Sequence, residues 1–217
     1  MNWFKFKFKV PKVEESLGKV FSDPKIYITL LVVLALVVTF IYVSKVKLTT
    51  KTMVNIGIAV ALSIVLKMFR IMQMPMGGSV TLGSMIPIIF IAYVYGPRIG
   101  YLTGLIFGVM DLILGATVVH PIQLLIDYIL AFGLLGVAGY FKNNISLGAL
   151  VAIALRCLCH VISGVVFFYE YAGDKNVWIY SISYNSTYLI PEAIIAMIIL
   201  AIIPVKRLRT EMGRNLA

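Results

Sequence analysis

The sequence predicts an all-α integral membrane protein, with a core of six transmembrane helices and one additional N-terminal helix. Three observations carry that expectation. Of 217 residues, 61% are hydrophobic with glycine left out of the count and only 13% are charged, whereas soluble domains carry about 25% charged residues. Mean hydropathy is +0.99, more apolar surface than a soluble globule of this length can hide. Apolar runs approaching the about 20 residues that cross a bilayer recur between short breaks rich in Gly, Pro, Asn or Lys. This composition excludes a cytosolic enzyme and a disordered chain. It also excludes a nucleic-acid binder, although the net charge is +10.

Residues 1–25 interleave lysines with rings (Trp3, Phe4, Lys5, Phe6, Lys7, Phe8, Lys9). They read as an interfacial segment, its aromatics among lipid headgroups and its ammonium groups on phosphates. Residues 26–51 hold the additional helix, an unbroken apolar run over 26–44, followed by a basic linker. That run is too long for a signal peptide and lacks a small-residue cleavage site. The membrane core, 52–206, divides into helices near 53–72, 80–95, 99–115, 121–141, 147–169 and 182–204. The breaks are Gly77-Gly78, Gly96-Pro97, the stretch 115–121, Lys142-Asn143-Asn144 and 173–176. Residues 207–217 form a cytoplasmic tail. No internal repeat is visible, so an inverted-repeat transporter has no support.

Lysine and arginine set the orientation. With both core ends in the cytoplasm, the inner loops hold Lys45, Lys47, Lys51, Arg98, Lys142, Lys206, Arg207, Arg209 and Arg214, leaving Lys67, Arg70 and Lys175 outside. A spanning additional helix then places the Lys-rich amino terminus outside, against the same rule. Charge therefore leaves the topology of that helix open.

Ionisable groups within membrane helices are costly and need a partner or a purpose. Here they are Asp111, Asp127, Arg156, His160 and Glu192, with Glu170 near a helix mouth. The orientation puts Asp127 and His160 at similar depth in the outer half, with Asp111 one turn from its helix end. Tyr180, Tyr184 and Asn185 enter the last helix from the same side, at the level of Phe167, Phe168, Tyr169 and Tyr171. A carboxylate, an imidazole, an amide and several rings suit a small, planar, cationic ligand, because aromatic faces and a buried carboxylate both favour a cation. An internal lock between Asp127 and either Arg156 or His160 explains the same residues. Arg156 and His160, four apart, share a helix face. Glu192 reads first as the partner of Arg156. His120, before Pro121, reads first as a cap and second as a ligand contact.

Cys157 and Cys159 lie two apart on a helix and diverge, so they read as buried small residues and not as a disulfide or a metal site with His160. No phosphate-binding loop, Ser/His/Asp order or His-Glu-x-x-His motif occurs. Hence no enzyme activity, cofactor or metal is expected. Gly57 and Ala61, small residues four apart, permit close helix approach, by internal packing or by a docking partner.

The segments Gly77-Gly78-Ser79-Val80-Thr81-Leu82, 120–128 (His-Pro-Ile-Gln-Leu-Leu-Ile-Asp-Tyr), 156–160 with Gly164 and Phe168, and Tyr180-Ser181 with Asn185 together resemble a known family. It is the thiamine-specific substrate-binding subunit (S-component) of energy-coupling factor transporters, matched over about 52–206. The resemblance implies a multi-pass subunit of a bacterial cell membrane that captures thiamine from outside. It implies ligand positions at Asp127, Tyr128, His160, Tyr180 and Asn185, a basic residue at Arg156, and a ring at Phe168 where relatives can carry Trp. It further implies docking through Gly57 and Ala61 on a membrane scaffold subunit driven by two ATP-binding subunits. The loop 72–79 is then a candidate gate. Two alternatives stand beside it: the same architecture for another cationic or heterocyclic vitamin precursor, and a stand-alone ion-coupled carrier using Asp111, Asp127 and Glu192.

Overall fold

The structure, a computed structural model, describes residues 24–115 and 117–214. The basic, aromatic segment expected over 1–25 lies outside them, apart from Pro24 and Lys25. Helix α1 (Pro24–Ser44) precedes α2 (Thr50–Met68), whose first turn is capped by Thr49 accepting from the Thr52 amide. A two-stranded antiparallel hairpin follows, β1 (Arg70–Gln73) and β2 (Ser79–Thr81), with Gln73 opposite Ser79 and Arg70 opposite Thr81. Next come α3 (Ile86–Tyr95) and α4 (Pro97–Ile113), parted by Gly96 at φ 90°. The long helix α5 covers Pro121–Tyr140. Helix α6 (Ile145–Phe167) is capped by Asn144, and α7 (Val177–Ile202) by Asn176. A final helix, α8 (Val205–Arg214), occupies most of what sequence predicted as a tail.

Five of these helices, α1, α2, α5, α6 and α7, are long and apolar enough to cross a bilayer. Two expectations are corrected. The helix predicted over 80–95 begins only at Ile86, because 79–81 pairs as a strand and Gly83, at φ 83°, turns the chain before Pro87 enters the first helical turn. The helix predicted to run to 72 ends at Met68, because 70–73 supplies the other strand.

Helix α3 is central. Ile88, Ile89 and Ala92 are fully buried among Phe107 of α4, Leu135 of α5, Ala149 and Ala152 of α6, and Ala196 of α7. A helix apolar all round belongs in such a position, and ten residues is the length of a buried core helix, not of a full span. Helices α4 and α5 meet backbone to backbone. A Cβ on Gly104 would lie 2.1 Å from the Phe132 carbonyl oxygen, and one on Gly108 2.3 Å from that of Tyr128, so only glycine allows this approach.

Helix α5 is not uniform. Over Leu125–Leu130 it widens to π turns, with the Ala131 amide donating to the Ile126 carbonyl, and over Leu134–Tyr140 it tightens to a 3-10 helix. Such irregular turns often mark functional sites, and here the wide turn carries Asp127 and Tyr128.

Packing settles the course of α1. Its Val32, 3% exposed, seats among Ile126, Ala131 and Cys159, with Ile28 and Leu36 beside them. Nearer its end, the Tyr42 hydroxyl is 3.0 Å from that of Tyr140, and the Arg98 guanidinium lies 4.9 Å over the Tyr42 ring. Helix α1 therefore runs parallel to α5 and starts at the hairpin end of the bundle. Its outer face, with Leu31, Leu34 and Phe40 exposed, suits contact with lipid.

Candidate functional site

At the hairpin end, α2, α4, α5, α6 and α7 enclose a cavity of about 130 Å³. Asp127, Tyr128, Arg156, His160, Phe168, Tyr180 and Asn185 all line it. His120 does not. Its Nδ1 accepts from the Ile122 amide at 3.1 Å as the cap of α5, and its ring stacks on Phe167 at 4.9 Å. Gly57 and Ala61 lie on the outer face of α2, exposed, with open space where a Cβ on Gly57 would stand.

Asp127 is 9% exposed and engages neighbours through both oxygens. Oδ2 accepts from Gln123 Nε2 at 2.7 Å and from Ser163 Oγ at 2.8 Å, while Oδ1 lies 3.0 Å from His160 Nδ1. The tautomer of His160 follows from its other nitrogen. Arg156 Nε, always a donor, bonds His160 Nε2 at 3.3 Å, so Nε2 is the acceptor and Nδ1–H donates to Asp127. The imidazole is neutral in this arrangement, and its hydrogen bond leaves the carboxylate charge uncompensated.

The deeper acid is different. Glu192, 1% exposed, takes Arg156 Nη1 on Oε2 at 3.4 Å. Its Oε1 accepts the Thr81 amide at 3.0 Å and also the Thr81 hydroxyl. This pair, the expected partner reading of Glu192, ties α6 to α7 and pins the second hairpin strand. The Arg156 guanidinium also lies 4.4 Å over the Phe132 ring, a favourable cation–π placement. A third acid, Asp111, pairs with Lys67 across α4 and α2. Of the described carboxylates in the wall, Asp127 alone has only neutral partners.

Asn185 is aimed by two neighbours. Its Nδ2 donates to the Ser181 carbonyl at 2.9 Å, and its Oδ1 accepts from the Tyr188 hydroxyl at 2.6 Å. Gly164 keeps α6 close to α7 here, since a Cβ would meet Ser181 Oγ at 2.2 Å. Over the cavity, the hairpin turn is held to α7. The Met76 amide donates to the Tyr184 hydroxyl at 2.9 Å, and the Tyr180 hydroxyl contacts Met76 sulfur at 3.8 Å. Gly78 lets the turn lie on Tyr188, whose ring a Cβ would approach to 2.5 Å. Aromatic rings of α7 therefore both line the cavity and hold the segment that covers it.

Sequence reasoning does not reach Gln123, Ser163, Thr81, Phe132 or Tyr188. A signal existed for two of them: Gln123 stands four before Asp127 and Ser163 three after His160, spacings that bring side chains together on helices. Thr81 and Phe132 join the site through contacts distant in sequence and leave no such mark.

A multi-pass helical bundle with a polar cavity at one end and a buried carboxylate in its wall has the build of a membrane protein for a small solute. The chain matches the thiamine transporter protein family over residues 53–212 and belongs to it. It is 39% identical over 163 residues to the thiamine transporter ThiT of Bacillus subtilis (strain 168), covering 67% of this chain and 83% of that one. It is 26% identical over 141 residues to the thiamine transporter ThiT of Lacticaseibacillus paracasei, covering 55% and 70%. Among solved structures, ThiT from Listeria monocytogenes superposes with a TM-score of 0.62 at 25% identity, covering 72% of this chain and 93% of that one. These relatives are named as transporters, not enzymes. Helix α1 precedes the residues that the family matches.

Proposed function

We propose that this chain is the substrate-capture subunit of an ATP-driven vitamin importer, holding thiamine in the cavity beneath the hairpin. The observation that carries this reading is Asp127, buried among neutral partners in a wall rich in aromatic rings. A thiazolium cation supplies the missing counter-charge, and its flat rings fit between Phe168, Tyr180 and Tyr184. The aminopyrimidine of thiamine offers donor and acceptor edges to Asn185 and His160. Family membership favours thiamine over other heterocyclic cations. The hairpin turn at 74–78 opens and closes the cavity by releasing Tyr184 and Tyr180.

Delivery to the cytoplasm falls to partners: an energy-coupling factor scaffold in the membrane and two ATP-binding subunits. The exposed face of α2 around Gly57 and Ala61 is the docking surface in this reading, because small residues let a partner helix come close. The core over 52–206 performs capture, and α1 supports its α5 side.

The test is a calorimetric titration of the purified full chain with thiamine and without ATP. One thiamine bound tightly per chain is expected, together with no gradient-driven thiamine uptake by vesicles holding this chain alone. Absence of binding overturns the reading, and uptake without ATPase partners replaces it with an ion-coupled carrier. His120→Ala separates the cavity from its surroundings. It removes a cap and is expected to cost about 1 kcal/mol of stability while thiamine affinity stays within about twofold. A larger loss of affinity would return His120 to the ligand contacts.

A further inference from the structure

Gln123, in the first turn of α5, is 2% exposed and uses both ends of its amide. Nε2 donates to Asp127 Oδ2 at 2.7 Å and to the Thr117 carbonyl at 3.2 Å, while Oε1 accepts the Val119 amide at 3.1 Å. The network fixes the amide's orientation, since a flip would set its oxygen against two acceptors and its nitrogen against a donor. A glutamate of the same length cannot give two hydrogens, and a methionine gives none.

Those three bonds join the Asp127 carboxylate to the loop 117–119 that leads into α5. The same loop is tied again to α5, because the Thr117 amide donates to the Tyr128 hydroxyl at 2.9 Å. The hairpin turn lies against it, for a Cβ on Gly77 would stand 2.9 Å from Thr117 Oγ1. One side chain therefore braces the buried acid on the segment that meets the turn. Its neutrality matters. A lysine here would cancel the Asp127 charge, whereas an amide restrains the carboxylate and leaves its charge for a ligand. With Oδ2 held by Gln123 and Ser163, the carboxylate is ordered before a ligand arrives. Ordering a loose side chain on binding weakens affinity by about 2- to 10-fold.

We infer that Gln123 is a positioning residue for cation capture, fixing through its hydrogen bond the Asp127 carboxylate that the ligand's charge meets. The inference rests on the thiamine reading of the cavity. A residue that served packing alone would act on charged and uncharged ligands alike.

The experiment titrates the full chain with thiamine and with its thiophene isostere, which keeps the shape and lacks the positive charge. The proteins are wild type, Gln123→Met, Gln123→Asn, and Asp127→Asn with and without Gln123→Met. The asparagine keeps the amide but is one methylene too short to span the loop and the acid. Wild type is expected to prefer thiamine by about 10-fold or more. In both Gln123 variants that preference should fall by about fivefold, through weaker thiamine binding. In the Asp127→Asn background, Gln123→Met should change the preference by less than about twofold, because it acts through the carboxylate. A preference that persists in a folded Gln123 variant, or a further fall in the Asp127→Asn background, overturns the inference and leaves thiamine capture standing. Equal binding of the two ligands by wild type does the same, as does loss of the fold in both Gln123 variants, which assigns the residue to stability. Wild type that binds neither ligand removes both readings.

Discussion

Asp127→Asn is expected to weaken thiamine binding by about 100-fold or more, equivalent to about 2.7 kcal/mol, with a folded protein. The substitution keeps the shape of the side chain and removes its charge. Its neighbours, the Gln123 amide, the Ser163 hydroxyl and the His160 imidazole, are all neutral, so they lose hydrogen-bond quality but no ionic partner. A cationic ligand loses its counter-charge beside a side chain only 9% exposed, where charge interactions are stronger than at a surface. Calorimetry reads the affinity and a melting curve reads the fold. Affinity within about threefold of wild type would mean that the carboxylate serves the helix packing alone.

Arg156→Met is expected to act on the fold itself, costing about 3–5 kcal/mol. Arg156 and Glu192 are 9% and 1% exposed, so removing the guanidinium strands a carboxylate in the interior. It also takes a cation from the face of Phe132 and a donor from His160. The second variant, Arg156→Met/Glu192→Gln, should recover most of the loss. Glutamine is neutral and its carbonyl oxygen still accepts from the Thr81 amide and hydroxyl, which bond Glu192 Oε1 in the wild type. Thermal unfolding in detergent checks both. A single variant as stable as wild type, or a double variant no better than the single, would show that the pair does not carry the α6–α7 contact.

The membrane helices were legible because lipid demands long apolar runs, and Gly, Pro and Asn interrupt them where the chain turns. What the runs could not convey was local backbone form. Arg70 to Gln73 is too short to display a strand period, and it pairs only because Gly77 and Gly78 turn the chain back beneath Tyr188. The π widening of α5 follows from no composition; it lies where Gly108 brings α4 against the backbone at Tyr128. Within the site, Asp127, His160, Phe168, Tyr180 and Asn185 share an outer-half depth that charge and hydropathy convey, whereas Arg156 reads as deeper and Tyr128 comes from the family resemblance alone. His120 shares that depth but caps its own helix, as the proline after it had suggested. The pairing of Lys67 with Asp111, 44 residues apart, needs the packed bundle. The course of α1 needed it too, because two lysine-rich ends gave the charge rule opposing answers.

The most direct measurement of the central claim is a crystal structure of the chain with thiamine bound. The expected result places the thiazolium within about 4 Å of the Asp127 carboxylate, an ion-pair distance, with the hairpin turn closed above it. Thiamine bound elsewhere, with Asp127 still turned to Gln123, Ser163 and His160, would contradict the claim.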